Sequence, residues 1–362
     1  MEPNEIACLV ALHSLEGIGS RSLCKIKKYF GSFKDCFFAP SQELHSSFLK
    51  AEICNNIVKV RSESEPARLL NEITARGIKI TTLDDKDYPS KLSEIYDPPY
   101  ILYYQGQIET LEQVCLAVVG SRQASNYGRS QARRFARELS LQGMVIVSGM
   151  ARGIDTEAHR GALEAGGKTA AVLGSGLNVI YPPENARLYT EIISQGVVIS
   201  EFPPQAHPEP GHFPLRNRVI SGLSRGVLVI EAQERSGALI TADFALEQGR
   251  DVYALPGPVD RKSSIGTNRL IKQGAELVTE PEDILLEYRP DYKKISELIQ
   301  EQLFVLSEIE KKIINYLDDA TVHINDIIYN TGLDMGTLSS CLLQMEFKGI
   351  IKALPGNYYQ RT

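Results

Sequence analysis

The sequence predicts an α/β protein whose centre is a doubly wound parallel sheet, with helical segments before and after it. Three observations carry that prediction. Between about 113 and 290, short β-branched apolar runs recur: CLAVV (115–119), MVIVS (144–148), TAAVL (169–173), GVVIS (196–200), GVLVI (226–230) and DVYAL (251–255). Helical segments such as GRSQARRFARELSLQG, TEAHRGALEAGG and ALITADFALEQG separate most of them. The strand runs are apolar at consecutive positions, which marks strands covered on both faces. Such strands alternating with helices form a parallel sheet, and right-handed crossovers wind it in both directions.

The flanks have a different texture. Residues 1 to about 80 carry apolar residues at three- and four-residue spacing in EIACLVALHSL, SRSLCKIKKYFG and EPARLLNEITARG, so this part reads as helices. From about 81 to 112 a bridging stretch rich in proline and tyrosine predicts irregular chain leading to a short strand. A linker is expected at 291–304, followed over 305–362 by three amphipathic helices, LSEIEKKIINYL, HINDIIYNTG and DMGTLSSCLLQMEFKG. The tail IIKALPGNYYQ reads as a small hairpin, and three helices plus a hairpin outline a winged helix-turn-helix. The expected domains are therefore 1–80, 81–290 and 305–362.

Composition narrows the function. With 362 residues, 43% hydrophobic and 23% charged, the chain has the ordinary balance of a soluble globular protein, which excludes disorder, collagen and coiled coil. No apolar run reaches the roughly 18 residues of a membrane span, and MEPNEIACLV lacks a basic segment or signal core, so a cytoplasmic protein with no membrane partner is expected. The six cysteines form no C-x-x-C pair and are expected to be reduced, buried thiols. His207 and His212 lie near each other among prolines without a cysteine or carboxylate at ligand spacing, so no metal is expected.

In a doubly wound sheet, ligands gather where the carboxyl ends of strands meet helix N-termini. Those ends are uniform here. Gly120, Ser121 and Arg122 follow the first run; Ser148, Gly149, Ala151, Gly153 and Asp155 follow the second. Gly174 and Gly176 follow the third; Phe213, Arg216, Asn217 and Arg218 lie between the fourth and fifth; Ser236, Gly237 and Thr241 follow the fifth. Glycines permit close backbone approach, free N–H groups form anion nests, and serine and arginine add donors. Together these residues form a rim able to hold several phosphates. For Phe213 two readings stand, base stacking and plain loop packing, and the prolines beside it favour packing.

The phosphate ligand is not a familiar cofactor. Gly174-x-Gly176 continues to Val179 where a dinucleotide fingerprint needs glycine, and the second strand ends in Ser148 rather than an acid. A G-x-x-x-x-G-K-[ST] loop is absent, so NAD and ATP are both disfavoured and no cofactor is expected. Asp155 and His159 are four apart on one helix, as an acid–base pair could be, but Asp155 also stands where it would cap or begin that helix, and capping is favoured. Glu201 is an isolated carboxylate. A binding protein, not an enzyme, is expected.

Charge by segment agrees. The formal charge of −6 excludes a protein that coats nucleic acid through bulk positive charge. Over 115–225, however, 12 Lys and Arg face 8 Asp and Glu, a balance of +4, against −3 before it and −7 after it. Eleven of those 12 cations are arginine, which suits bidentate phosphate contact. A solvated helix face accounts for Arg129, Arg133, Arg134 and Arg137 as well as DNA does; it accounts less easily for Arg122, Arg216 and Arg218.

The segments GSRQASNYG, SGMARGIDTEAHRGAL, VLGSGLNVIYPPEN, FPLRNRVISGLS, SGALITADFALEQGRDVYALPG and GTNRLIKQGA resemble, in order and spacing, the DprA/Smf family, DNA-processing protein A. The resemblance spans about 80–290. LEGIGSRSLCKI (15–26) resembles the family's SAM-like or helix-hairpin-helix N-terminal region, and 305–362 its winged-helix domain. The resemblance implies an extended Rossmann-like core and a non-catalytic protein that binds single-stranded DNA during natural transformation, protects it, and loads RecA onto strands covered by single-strand-binding protein. It implies a homodimer formed through the core. It also implies DNA contacts at Ser121, Arg122, Ser148, Gly149, Gly153, Phe213, Arg216, Asn217 and Arg218.

Two departures qualify these expectations. The third helix of the terminal domain, Asp334–Phe347, contains no Lys or Arg, and 307–362 holds 5 basic against 7 acidic residues. A duplex-reading helix would be basic. Protein contact or packing on the core is therefore favoured there, and a transcription regulator is disfavoured. At Gly17-Ile18-Gly19, with Lys25, Lys27 and Lys28 nearby, phosphate binding and protein contact stand equally. The rival function is a nucleotide-processing hydrolase of the nucleoside-monophosphate phosphoribohydrolase type. It expects P-G-G-x-G-T-x-x-E where this chain has Ser236-Gly237-Ala238-Leu239-Ile240-Thr241-Ala242-Asp243.

Overall fold

The computed structural model describes residues 1–63, 66–289, 307–317, 321–347 and 350–361. The linker expected at 291–304 lies outside the described residues, as do 305 and 306. The chain divides into two compact units, Met1–Ile284 and Leu285–Thr362.

The first unit opens with helices α1 (Pro3–His13), α2 (Ser20–Phe30), α3 (Phe33–Phe38), α4 (Ser41–Ser46), α5 (Ala51–Glu63) and α6 (Pro66–Ala75). The turn between α1 and α2 needs glycine, because Gly17 sits at φ +85°. Strand β1 (Lys79–Thr82), the short helix α7 (Ser90–Ser93) and strand β2 (Ile101–Gly106) follow.

The repeating part then runs β3 (Cys115–Val119), α8 (Asn126–Leu141), β4 (Val145–Ser148), α9 (Ile154–Glu164), β5 (Thr169–Val172), α10 (Ala186–Gln195) and β6 (Val197–Ser200). It continues with α11 (His212–Leu223), β7 (Gly226–Val229), α12 (Gly237–Glu247), β8 (Asp251–Ala254), α13 (Ile265–Lys272) and β9 (Glu276–Leu277), and α14 (Pro281–Tyr288) ends it. All nine strands form one sheet in the order β1-β2-β6-β5-β4-β3-β7-β8-β9. From β6 to β9 every pairing is parallel, with Ala117 of β3 set between Val147 of β4 and Val227 of β7. The expected doubly wound α/β core is present.

The sheet also carries an addition. β2 pairs antiparallel with β6, and β1 antiparallel with β2, so two strands of the bridging region extend the edge. KITT holds a single apolar residue, Ile80, in four positions, too little to announce a strand.

The two faces of the sheet are buried in different cores. One joins Val119, Val147, Val172, Val227 and Val229 to Leu92, Ile95, Val219, Ile220 and Leu239. The other joins Ile101, Tyr103, Ala171, Leu173, Ile192 and Val198 to Leu9, Leu12, Leu23, Ile26, Phe33, Phe37 and Ile57 of the N-terminal helices. The expected boundary at 80 therefore separates two sequence textures, not two cores. The reading of every cysteine as buried is also corrected: Cys8, Cys36, Cys54 and Cys115 are buried, but Cys24 is exposed and Cys341 half-exposed. Among the described residues, no helix is long and apolar enough to cross a membrane, and no cluster of histidine, cysteine and carboxylates could hold a metal.

The second unit contains α15 (Glu308–Tyr316), β10 (Val322–His323), α16 (Ile324–Thr331), α17 (Met335–Phe347), β11 (Ile351–Leu354) and β12 (Tyr358–Arg361). Ser307 starts α15 with a capping box to Glu310. Ile313, Leu317, Ile327, Leu338, Leu342 and Met345 make its core. β11 and β12 form the expected hairpin around Gly356 (φ +86°) and Asn357 (φ +60°), and β10 adds a third strand in the order β10-β12-β11.

Candidate nucleic-acid interface

The chain winds outward from β3 in both directions, so β3 and β7 are neighbours at the switch point of the sheet. A crevice opens there by construction, because the connections leave to opposite sides. It is a cleft of about 570 Å³. Its walls take Gly120 and Arg122 from the end of β3, Ala151 and Asp155 from the start of α9, and Phe213, Arg216 and Asn217 from the first turns of α11. Ser236, Gly237 and Thr241 come from the start of α12. A small recess sharing Arg122, Ala151, Tyr181 and Phe213 with it adds Gly149, Arg152, Gly174 and Ser175.

The beginnings of α9, α11 and α12 all face this space. Helix starts present unpaired N–H groups and the positive end of the helix dipole, which favours an anion. The Ser236 hydroxyl accepts from Ala238 N–H (3.3 Å) and caps α12. The Asn217 side-chain amide donates to the Gly237 carbonyl (3.2 Å), tying α11 to that cap.

Arg122 is exposed at the mouth. Its guanidinium carbon stands 4.7 Å from the centroid of the Phe213 ring, a cation–π contact. The edge of that ring crosses Gly174 so closely that a Cβ there would sit 2.9 Å from it, and Tyr181 lies 5.8 Å away, centroid to centroid. Phe213 thus holds Arg122 on one face. The geometry makes it a pedestal for the arginine, a role that neither sequence reading, base stacking or plain loop packing, contained.

The loop carrying Arg122 is fixed from below by Glu231, which follows β7 and is buried. The Glu231 carbonyl accepts from Ser121 N–H (2.8 Å), and its carboxylate accepts from Ser125 N–H (2.9 Å) and the Ser125 hydroxyl (2.5 Å). Gly128 leaves the room this carboxylate needs, since a Cβ there would collide with it. On the other side Gly153, at φ +79°, abuts the carbonyls of Ser121 and Arg122, where any side chain would collide. Sequence reasoning missed Glu231. An acidic residue directly after GVLVI was its only local signal, and its partner lies 106 residues away.

Arg216 is only 3% exposed and lies on the floor. It donates through one amino nitrogen to the carbonyls of Gly149 (2.7 Å) and Val172, and its guanidinium rests where a Gly149 side chain would be. Burial lowers its pKa to about 10, against the pull of the nearby Asp155. Asp155 accepts from the N–H groups of Gly149 (3.2 Å) and Ala151 (3.4 Å). Burial raises its carboxyl above the ordinary value, opposed by Arg216. Asp155 therefore folds the 149–155 turn and does not pair with His159, whose Nδ1 instead meets the Thr169 hydroxyl at 2.7 Å. Met150 within this turn is buried at φ +53°, a strained conformation of the kind that gathers at binding sites. Asn185 steadies it by donating to its carbonyl (2.9 Å).

Several expected contacts stand behind the cleft wall. The Ser148 hydroxyl is fully buried and donates to the Val118 carbonyl (2.7 Å). Ser121 is 8% exposed, and Gly176 packs on the carbonyls of Pro203 and Pro204. Arg218 points to the opposite side of α11, where it pairs with Glu201 and, at 3.4 Å, with Asp97. Direct contact from the side chains of Ser148 and Arg218 is thus corrected to support of the rim. Tyr181, Pro208, Pro210, Ile220, Ala238 and Ile240 line the cleft without having been singled out as contacts.

Residues 79–289 match the family model for DNA recombination-mediator protein A, and 300–357 match the DprA winged helix domain. Protein Smf of Escherichia coli is 44% identical over 282 residues, covering 76% of this chain and 75% of that protein. The X-ray structure of DprA from Streptococcus pneumoniae superposes with a TM-score of 0.65 at 38% identity, covering 79% of this chain and 98% of that one. DNA processing protein A from Helicobacter pylori, described for its unique single-stranded DNA binding mode, superposes with a TM-score of 0.54 at 30% identity over 59% of this chain and 97% of that one. Proteins of this family are DNA-binding recombination mediators, not enzymes. This chain, with its cleft at the β3/β7 switch point, belongs to the DNA recombination-mediator protein A family.

Proposed function

We propose that this chain binds single-stranded DNA along the cleft and its recess, and that it does so as a recombination mediator. The observation that carries the proposal is the exposed Arg122, held over Phe213 at the mouth of a cleft formed by three helix starts. One phosphate sits against the Arg122 guanidinium and another against the α12 cap at Ser236 and Gly237. At Gly237 nothing stands within 4 Å of where a Cβ would be, so the backbone there is open to the strand, while Gly149 and Gly174 make room for Arg216 and Phe213. Arg216 and Asp155 build the floor, and Gly153 and Glu231 hold the Arg122 loop.

The wider role follows the family. A homodimer formed through the core carries one continuous track over two subunits in the cytoplasm. It protects incoming strands during natural transformation and loads RecA onto strands held by single-strand-binding protein. The acidic terminal domain serves protein contact. The hydrolase alternative is not favoured, since the 236–243 turn caps α12 through Ser236 and the family is one of mediators.

The test is a titration of oligo-dT and of a matched duplex at several salt concentrations, with the mass of the complex measured. Counterion release predicts single-strand affinity that falls steeply with salt, and a mass of two chains per complex. Affinity that stays flat between low and physiological salt, or a preference for duplex, overturns the proposal.

A further inference from the structure

We propose a second single-strand contact surface on the exposed face of α2, outside the cleft. It rests on the single-strand reading above and extends it to a part of the molecule that reading does not use.

Helix α2, SRSLCKIKKYF, contains four basic residues and no acid. Arg21, Lys25 and Lys28 are spaced i, i+4, i+7, which places them in one stripe along the helix, and all three are exposed. Lys27 is spent differently. It pairs with Asp84 and donates to the Tyr100 hydroxyl (3.0 Å), fastening α2 to the sheet unit. Among the described residues, Lys25 and Lys28 have no ion pair, and Arg21 has only a 3.7 Å approach to Asp97 with its side chain 79% exposed. A pair that open is screened and holds little.

The stripe ends on aromatics. Tyr29 is 54% exposed, and its ring meets Phe48 (43% exposed) edge to face at 5.9 Å, with exposed Lys50 two residues beyond Phe48. Single exposed apolar residues are common on any protein. Two aromatics in contact, flanked by unpaired lysines, are the arrangement that holds single-stranded nucleic acid: cations for phosphates and ring faces for unstacked bases. Duplex DNA offers no free base faces to those rings. The other end of the stripe reaches the back of α11, where Asp97 stands between Arg21 and Arg218. Phe213, Arg216 and Asn217 stand on the cleft side of that same helix.

The chain has no tryptophan, so Tyr29→Trp places the sole indole on this surface. Long oligo-dT is titrated against the full chain while binding is followed separately by the anisotropy of labelled DNA. Saturable quenching of the indole at the midpoint seen by anisotropy is expected. The variant Lys25→Ala/Lys28→Ala, with its unfolding temperature measured, is expected to lower the slope of log affinity against log salt by about 1.4, two single-strand phosphate contacts. Saturated binding with unchanged indole emission and an unchanged slope overturns this surface and leaves the cleft reading intact. Absence of binding by anisotropy overturns both.

Discussion

The guanidinium of Arg122 lies over the ring of Phe213, 4.7 Å from its centroid, and both line the cleft. Arg122 is exposed and, among the described residues, has no carboxylate within 4 Å, although its charge reaches the buried Asp155, so its guanidinium can take a phosphate. Arg122→Ala is expected to weaken oligo-dT binding by about 1–3 kcal/mol, the cost of a lost charge-assisted contact, with no change in unfolding temperature. Phe213→Ala removes the pedestal and weakens binding through the same arginine. A double-mutant cycle should therefore be non-additive by about 0.5–3 kcal/mol. Additive losses would mean that the two side chains act on the strand separately.

Arg216 behaves differently because it is buried. Arg216→Ala removes its bonds to Gly149 and Val172 and takes the stronger of two nearby positive charges away from the buried Asp155 carboxylate. Leaving buried polar groups short of their partners costs about 1–3 kcal/mol each, and more for a charged group. The loss should appear first as a lower unfolding temperature and only through that as weaker DNA binding. Pairing it with Asp155→Asn should recover part of the stability. An Arg216→Ala variant with native thermal stability and weak DNA binding would instead mark the guanidinium as a direct contact.

That contrast shows what the residues alone disclose. The strands of the core were legible because a parallel strand buried on both faces must be apolar at consecutive positions, as CLAVV and GVLVI are. The glycine-rich turns were legible because close backbone approach leaves few alternatives to glycine. The direction of each arginine was not. Arg216 and Arg218 stand two apart on α11, so one lies on the cleft floor while the other turns away to Glu201, and only the helix's setting against the sheet decides which. Likewise Glu231 acts across 106 residues on Ser125, a distance at which spacing carries no signal.

Glu231 should matter to binding without touching the strand. Glu231→Ala removes the carboxylate that accepts two bonds from Ser125, freeing the 121–125 loop. Affinity for oligo-dT is expected to fall by roughly the same 1–3 kcal/mol as for Arg122→Ala. In an Arg122→Ala background, the same substitution should change affinity little further. Glu231→Gln retains one acceptor oxygen and should restore part of the binding. Equal losses in both backgrounds would show that Glu231 does not act through Arg122.

Two buried histidines set an acid limit on the fold. His13 meets the Tyr103 hydroxyl at 3.1 Å, His159 meets the Thr169 hydroxyl at 2.7 Å, and both are nearly sealed from solvent. Burial lowers their pKa from about 6.5 to about 4 and about 3 respectively, and the charge of Arg216 adds to the shift at His159. Above pH 6.5 both states are neutral and nothing changes. Below it the unfolded chain takes up protons that the folded chain refuses, so stability falls as pH falls toward the folded values. The loss approaches about 1.4 kcal/mol per pH unit for each histidine below pH 6.5, roughly 4 kcal/mol together by pH 5. The raised carboxyls of Asp155 and Glu201 act with the opposite sign in the acid range, so the histidine part is isolated by difference. Denaturant unfolding between pH 7 and pH 5 should show a shallower decline in His159→Gln than in the native chain, and parallel curves would mean that His159 is protonated within the fold.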